Sequence, residues 1–267
     1  MSGKSRRRKL DELKGRFPSR ENEISKLNAL LGEPGLALPL YIHGPSGCGK
    51  SALLRGVVEV LELRTAYLDC ITHPTPQSIF EAALNQLANH RPQASNGYSN
   101  WSSCDDSPAA FIAGLRHLVE VRRKAQLPEQ RLCLVFDKAE RLAQRRDLLQ
   151  TLIALPSLFQ AAAAGLVASG AAENAMDAGA VLPIFVGESL WPDFQLHCDG
   201  APRVLQFRMA GYSKAGLETV LKRDVHSVCG SEGTSMRSIP RMSSRRSSRM
   251  RAWWDPPTTP LMSLDEP

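Results

Sequence analysis

Leu40-Tyr41-Ile42-His43-Gly44-Pro45-Ser46-Gly47-Cys48-Gly49-Lys50-Ser51-Ala52-Leu53-Leu54 is the stretch whose reading decides the fold. An apolar run from Leu38 to Ile42 leads into Gly44-Pro45-Ser46-Gly47-Cys48-Gly49-Lys50-Ser51, and a helical pattern follows directly. That is G-x-x-x-x-G-K-S with a strand before it and a helix after it. Gly44, Gly47 and Gly49 allow tight turning, so that successive backbone N–H groups converge on a triphosphate. Lys50 is expected to reach the β- and γ-phosphates, and the Ser51 hydroxyl to ligate Mg²⁺. The helix that begins near Gly49 points its positive end at the same anion. The stretch predicts binding of a nucleoside triphosphate with Mg²⁺.

A second stretch supports it. Arg131-Leu132-Cys133-Leu134-Val135-Phe136-Asp137 is a short apolar run that ends in an acid, the pattern of a buried parallel strand. In open α/β sheets ligands sit at the carboxyl ends of the strands. Asp137 is therefore expected to hold Mg²⁺ together with Ser51. The alternative is that it caps a helix after a core strand.

Three further strands are expected over 65–71, 181–187 and 203–209, with helical patterns between them. Together they predict an α/β fold, three-layered, with a parallel five-stranded sheet between helices. Ahead of the phosphate loop, Ile24, Leu27, Leu30 and Leu31 mark one face of a helix with Ser19 as its N-cap. That helix either covers a bound adenine or simply covers the sheet. Residues 89–107 read as an exposed polar loop, in which Asp105 and Asp106 are expected to be solvated rather than metal-binding. A helix over 142–158 is expected to end near Pro156. The Ala/Gly-rich segment 161–180 reads as an insertion of low structural content. Arg203 and Arg208 are either fingers reaching a neighbouring site or solvated edge-strand residues.

Charge is unevenly distributed along the 267 residues, whose net value is +6. Lys4, Arg6, Arg7, Arg8, Lys9, Lys14, Arg16 and Arg20, set against Asp11 and Glu12, account for it. The remainder is near neutral, which excludes a broad basic nucleic-acid surface on the domain body. Residues 1–14 are expected to be a disordered basic arm. They suit nuclear localisation or phosphate contact as well as a merely solvated terminus. No apolar run approaches a membrane span, and no membrane partner is expected. The six cysteines show neither C-x-x-C nor zinc spacing and read as reduced thiols. From Val225 to the end Ser, Arg, Met and Pro dominate without periodicity, so 225–267 is expected to be a disordered tail.

The phosphate loop on the first strand, an acid on the third and a polar pair after the fourth resemble the AAA+ ATPases. Within them, Phe17-Pro18-Ser19-Arg20-Glu21-Asn22-Glu23-Ile24, Cys133-Leu134-Val135-Phe136-Asp137-Lys138-Ala139-Glu140 and Phe185-Val186-Gly187-Glu188-Ser189-Leu190-Trp191 are similar to the origin recognition complex subunit 5 family. The resemblance covers about residues 15–224. It implies a nucleotide-binding domain over 15–210, the start of a lid helix over 211–224, and a chain shortened at its C-terminal end. It also implies a nuclear DNA-replication subunit that assembles with the other origin recognition complex subunits and meets origin DNA through the complex. Lys138 stands where active members of the superfamily place a glutamate that polarises the attacking water. Glu140 is expected to point elsewhere, and the polar sensor position falls near Gly187, which has no side chain. ATP is therefore expected to serve mainly as a structural ligand, with weak hydrolysis or none. The alternatives are an active AAA+ NTPase of clamp-loader or signalling type, and a non-functional truncated product.

Overall fold

A computed structural model describes residues 3–33, 36, 38–126, 130–168, 181–195 and 203–229. The unit Met1–Asp224 carries the sheet. Five strands, β1 (Leu40–His43), β2 (Arg64–Asp69), β3 (Leu132–Asp137), β4 (Val181–Gly187) and β5 (Leu205–Arg208), pair in parallel in the order β2-β3-β4-β1-β5. From β1 the chain crosses to the far edge at β2, returns through β3 to β4 beside β1, and adds β5 on the other side. The three inner strands are apolar along almost their whole length because helices cover both faces.

The period-two alternation of side chains divides the core. Tyr41, Leu134, Phe136 and Phe185 face helices α4 (Pro76–Leu87), α5 (Pro108–Lys124) and α6 (Arg146–Ala168). Ile42, Val135, Ile184 and Val186 face α1 (Gly3–Arg16), α2 (Glu21–Gly32) and α3 (Lys50–Leu61). A short α7 (Trp191–Gln195) follows β4, and α8 (Lys214–Cys229) follows β5. The expected α/β fold with a parallel five-stranded sheet is the fold observed.

Several local expectations are corrected. Within the basic arm, Gly3–Arg16 is helix rather than disordered. Its Leu13 is buried against α3 at Gly56, where any Cβ would overlap Leu13 Cδ1, so the missing side chain allows the close approach. Lys9 Nζ pairs with Glu62 Oε1 at 2.9 Å and fixes the same crossing. The apolar stripe of Leu10 and Leu13 was outweighed in the sequence by the cations around it.

Ser19 does not cap α2. It takes a positive φ of 65°, Arg20 holds the cap position, and the Glu21 carboxylate accepts from the Ser19 N–H at 3.2 Å. Pro156 does not end α6, because the buried face of Leu149, Leu152, Ile153 and Phe159 runs through it. That burial offsets the hydrogen bond proline cannot donate, and the alanines that follow favour helix. The first part of the Ala/Gly segment is thus helical to Ala168, while 169–180 lies outside the described residues. Likewise α8 reaches Cys229, five residues into the stretch expected to be tail; 230–267 lies outside the described residues.

In the polar loop, Trp101 and Cys104 tuck against the core. Asp106 accepts from the Gln77 N–H at 2.8 Å, so it completes the start of α4 rather than being merely solvated. Four described cysteines are free and buried. Burial pushes the Cys133 thiol up to about 12, and burial with nearby carboxylates does the same for Cys70. Both thiols stay protonated at neutral pH, as inert core groups.

Candidate nucleotide-binding site

Parallel strands bring their carboxyl ends to one edge of the sheet, and the loop after β1 crosses that edge. Gly47 and Gly49 there have φ of +71° and +89°, left-handed values that residues with side chains rarely adopt. Gly44 serves another need, since a Cβ on it would overlap the carbonyl oxygen of Met209. The loop therefore lies directly on the chain leaving β5, where the Met209 N–H donates to the His43 carbonyl at 2.7 Å.

Gly49 is the N-cap of α3, so the helix starts at Lys50 with its free N–H groups facing out of the loop. Lys50 is buried. Its ammonium donates to the Gly44 and Pro45 carbonyls, each at 2.9 Å, and lies 3.9 Å from Cys48 Sγ.

A cavity of about 250 Å³ opens above this loop. Ser46, Gly47, Gly49, Lys50 and Ser51 line it from one side, and Asp137 from the end of β3. Gly44, Pro45 and Cys48 shape the loop behind that wall. The sheet order explains the meeting: β4 alone separates β1 from β3, with His43 beside Gly187 and Asp137 beside Val186. Asp137 accepts from the Lys138 N–H at 3.0 Å through Oδ1. One hydroxyl, one carboxylate, one ammonium and a row of backbone N–H groups are the donor set that Mg²⁺ and a triphosphate require.

Lys138 and Glu140 also line the cavity. For Glu140 this overturns the expectation that it points elsewhere. Lys138 takes a left-handed conformation, φ 59° and ψ 43°, and a 3-10 turn over Ala139–Gln144 follows. The strand periodicity used for the expectation is lost at that residue, and the chain folds back over the sheet edge. Glu140 Oε2 is buried without a hydrogen-bond partner. It would lie 2.9 Å from a Cβ on Gly187, as would the Tyr41 hydroxyl, so the glycine leaves room for both.

Arg20 was counted among the N-terminal cations and quoted within the Phe17–Ile24 stretch without a role of its own, yet it is a buried tie. Its guanidinium donates to the Cys48 carbonyl at 3.2 Å, the Ala210 carbonyl at 2.7 Å and Glu23 at 3.0 Å, and it stacks on the Tyr212 ring at 4.1 Å. It binds the phosphate loop to the segment entering α8, a role that composition and periodicity do not mark. His43 is buried beneath the loop with Nδ1 unpartnered. Burial, with help from Arg208 and Lys50, lowers its pKa. Arg203 and Arg208 are exposed on the edge strand β5 and its approach.

The model of the AAA ATPase domain matches residues 16–167. The chain is 27% identical over 208 residues to human origin recognition complex subunit 5, covering 77% of this chain and 42% of that protein. It is 33% identical over 108 residues to origin of replication complex subunit 5 of Arabidopsis thaliana, covering 40% of this chain and 20% of that protein. The chain thus spans less than half the length of these curated relatives. Among solved structures, a chain of Drosophila ORC bound to DNA is similar with a TM-score of 0.63 and 24% identity, over 84% of this chain and 51% of that chain.

Proposed function

The chain belongs to the AAA ATPase domain family, and on that premise we propose that it is an ATP-binding subunit of the origin recognition complex, acting in the initiation of DNA replication in the nucleus. Its partners are the other subunits of that complex, and it meets origin DNA through them. ATP, held with Mg²⁺, acts mainly as a structural ligand and is hydrolysed weakly at most.

The observation that carries this reading is the joining of Lys50, Ser51, Asp137 and Lys138 around one cavity, in a chain similar over most of its length to human origin recognition complex subunit 5. Backbone N–H groups of the loop and Lys50 would hold the phosphates; Ser51 and Asp137 would hold Mg²⁺. When bound, Mg²⁺ neutralises charge on the β- and γ-oxygens. Lys138 also lines the cavity but offers no base to a water while protonated.

The test is co-expression of the chain with the other subunits, followed by measurement of nucleotide content after gel filtration. A complex that contains the chain and retains ATP is expected. Failure to assemble, or an assembled chain free of nucleotide, overturns the reading.

A further inference from the structure

Arg20 is a charged residue only 2% exposed, and it lies outside the cavity wall. Its guanidinium is fixed from four sides. It donates to the Cys48 carbonyl at 3.2 Å, to the Ala210 carbonyl at 2.7 Å and to Glu23 Oε1 at 3.0 Å, and it stacks on the Tyr212 ring at 4.1 Å. Its Nε is buried without a partner. Taking a guanidinium out of water is costly, and a buried ion pair adds little net stability. What this side chain holds in place therefore matters more than what it adds to the fold.

The Cys48 carbonyl is the informative partner. A trans peptide carries its N–H on the side opposite its carbonyl oxygen, so the group that holds the Cys48 oxygen also sets the direction of the Gly49 N–H. Gly49 lines the cavity, and Arg20 stands behind it. The Gly49 carbonyl accepts from the Leu53 N–H at 2.9 Å, which fixes the next peptide as the first turn of α3. The Gly49 N–H itself meets no acceptor among the described residues. A φ of +89° lets one residue join these two differently directed peptides. We infer that Arg20 is a positioning residue for the anion: by holding the Cys48 carbonyl it aims the Gly49 N–H into the cavity before a ligand arrives. The inference rests on the proposed binding of ATP. Because the same guanidinium holds the Ala210 carbonyl and stacks on Tyr212, the segment after β5 takes part in shaping the phosphate site. The Tyr212 hydroxyl lies 3.5 Å from where a Cβ on Gly49 would stand, so this segment also backs the same residue directly.

The experiment uses the full chain within its co-expressed complex. A radiolabelled, photoreactive azido derivative of ATP is cross-linked by light, and the label on this chain is read after the subunits are separated by electrophoresis. Wild type is compared with Arg20→Ala, Arg20→Lys, Tyr212→Leu and Arg8→Gln. Arg20→Lys keeps the charge but replaces the planar fork that spans two carbonyls with a single ammonium. Both Arg20 variants should bind roughly 10–100-fold more weakly, the loss expected of one misplaced donor to a charged oxygen. Tyr212→Leu, in which the guanidinium loses its stacking face, should fall between them and wild type. Arg8→Gln removes an exposed cation and should bind as wild type does. Inorganic tripolyphosphate, which has no base or ribose, should compete more weakly in the Arg20 variants by the same factor as ATP. Affinity is measured on the folded complex, so a residue that merely stabilised the fold would lower the melting temperature and leave these constants unchanged.

Wild-type affinity in Arg20→Lys overturns the inference, because charge alone would then account for the effect. Wild-type affinity in Arg20→Ala overturns it too, as does a tripolyphosphate constant that is the same with and without Arg20. Should the Arg20 variants fail to assemble, Tyr212→Leu decides: a weakened ATP affinity there supports the inference and an unchanged one overturns it. Each of these outcomes leaves the proposed binding intact. A wild-type chain that takes no label overturns the proposed reading and the inference together.

Discussion

Lys50 donates both short hydrogen bonds to carbonyls of its own loop, so its ammonium is held at the cavity wall by the backbone it serves. Lys50→Ala removes that charge and should abolish ATP retention, whereas Lys138→Ala should leave it intact; filter binding with labelled ATP checks both. At a hundredfold excess over its dissociation constant, ATP should stabilise the wild type by about 2.7 kcal/mol, a gain absent from Lys50→Ala. His43 supplies a pH dependence. Burial first, then Arg208 and Lys50, lower its pKa below the ordinary 6.5. The unfolded chain therefore takes up this proton at higher pH than the folded one. The His43 contribution is fully present above about pH 6.5 and is lost as pH falls from there through the lower folded value. Melting temperature measured between pH 8 and 5 should decline less steeply in His43→Phe, which keeps a ring beside Tyr41; an identical slope would refute the assignment.

At the scale of elements, α1 tests how far packing overrides composition. Its sequence is mostly cationic, yet Leu13 seats it against α3 and α2, with Lys9 on Glu62 at the margin. Leu13→Ala should cost about 2–3 kcal/mol by urea denaturation. Limited trypsin digestion of that variant should release the first 16 residues well before the wild type does. The exposed pair Arg8 and Glu12 should matter little to either result, as solvent-exposed ion pairs on helices contribute only tenths of a kcal/mol. Gly44→Ala acts on a different contact. Its methyl would meet the Met209 carbonyl oxygen, a backbone atom that cannot swing aside. Displacing the start of the loop from β5 should cost about 1–3 kcal/mol and weaken ATP binding as well, readable as a lowered melting temperature with a reduced ATP response.

For the whole molecule, the exposed apolar residues of α8 bear on assembly. Leu217 and Leu221 lie one turn apart and are 48% and 62% exposed. Water on such a pair favours association over a free chain. The protein made alone should be poorly soluble, and co-expression with a partner subunit should rescue it. A monodisperse monomer at high concentration would count against this. Arg20 links that helix to the phosphate loop, because one guanidinium holds the Cys48 carbonyl of the loop and the Ala210 carbonyl before α8. Arg20→Ala should therefore lower both stability and ATP affinity, although Arg20 lies outside the cavity wall.

The sequence by itself determined the strands, their parallel α/β arrangement and the phosphate-binding loop. Each of these is local: a run of apolar residues, a glycine spacing, an acid at the end of a strand. Ser51 and Asp137, 86 positions apart, were legible as a pair because the fold class brings strand ends to one edge. Tertiary structure decided the rest. Whether α1 docks depends on a glycine in another helix, and whether α6 passes Pro156 depends on what its far face buries. Arg20 reads as any surface cation until its carbonyl partners are in view. Glu140 is the sharpest case. Strand periodicity sends it away from the site, and one left-handed residue, Lys138, of a type that gives no sign of adopting it, sends it back. Local pattern sets φ and ψ only where a residue type restricts them; elsewhere the packed chain chooses.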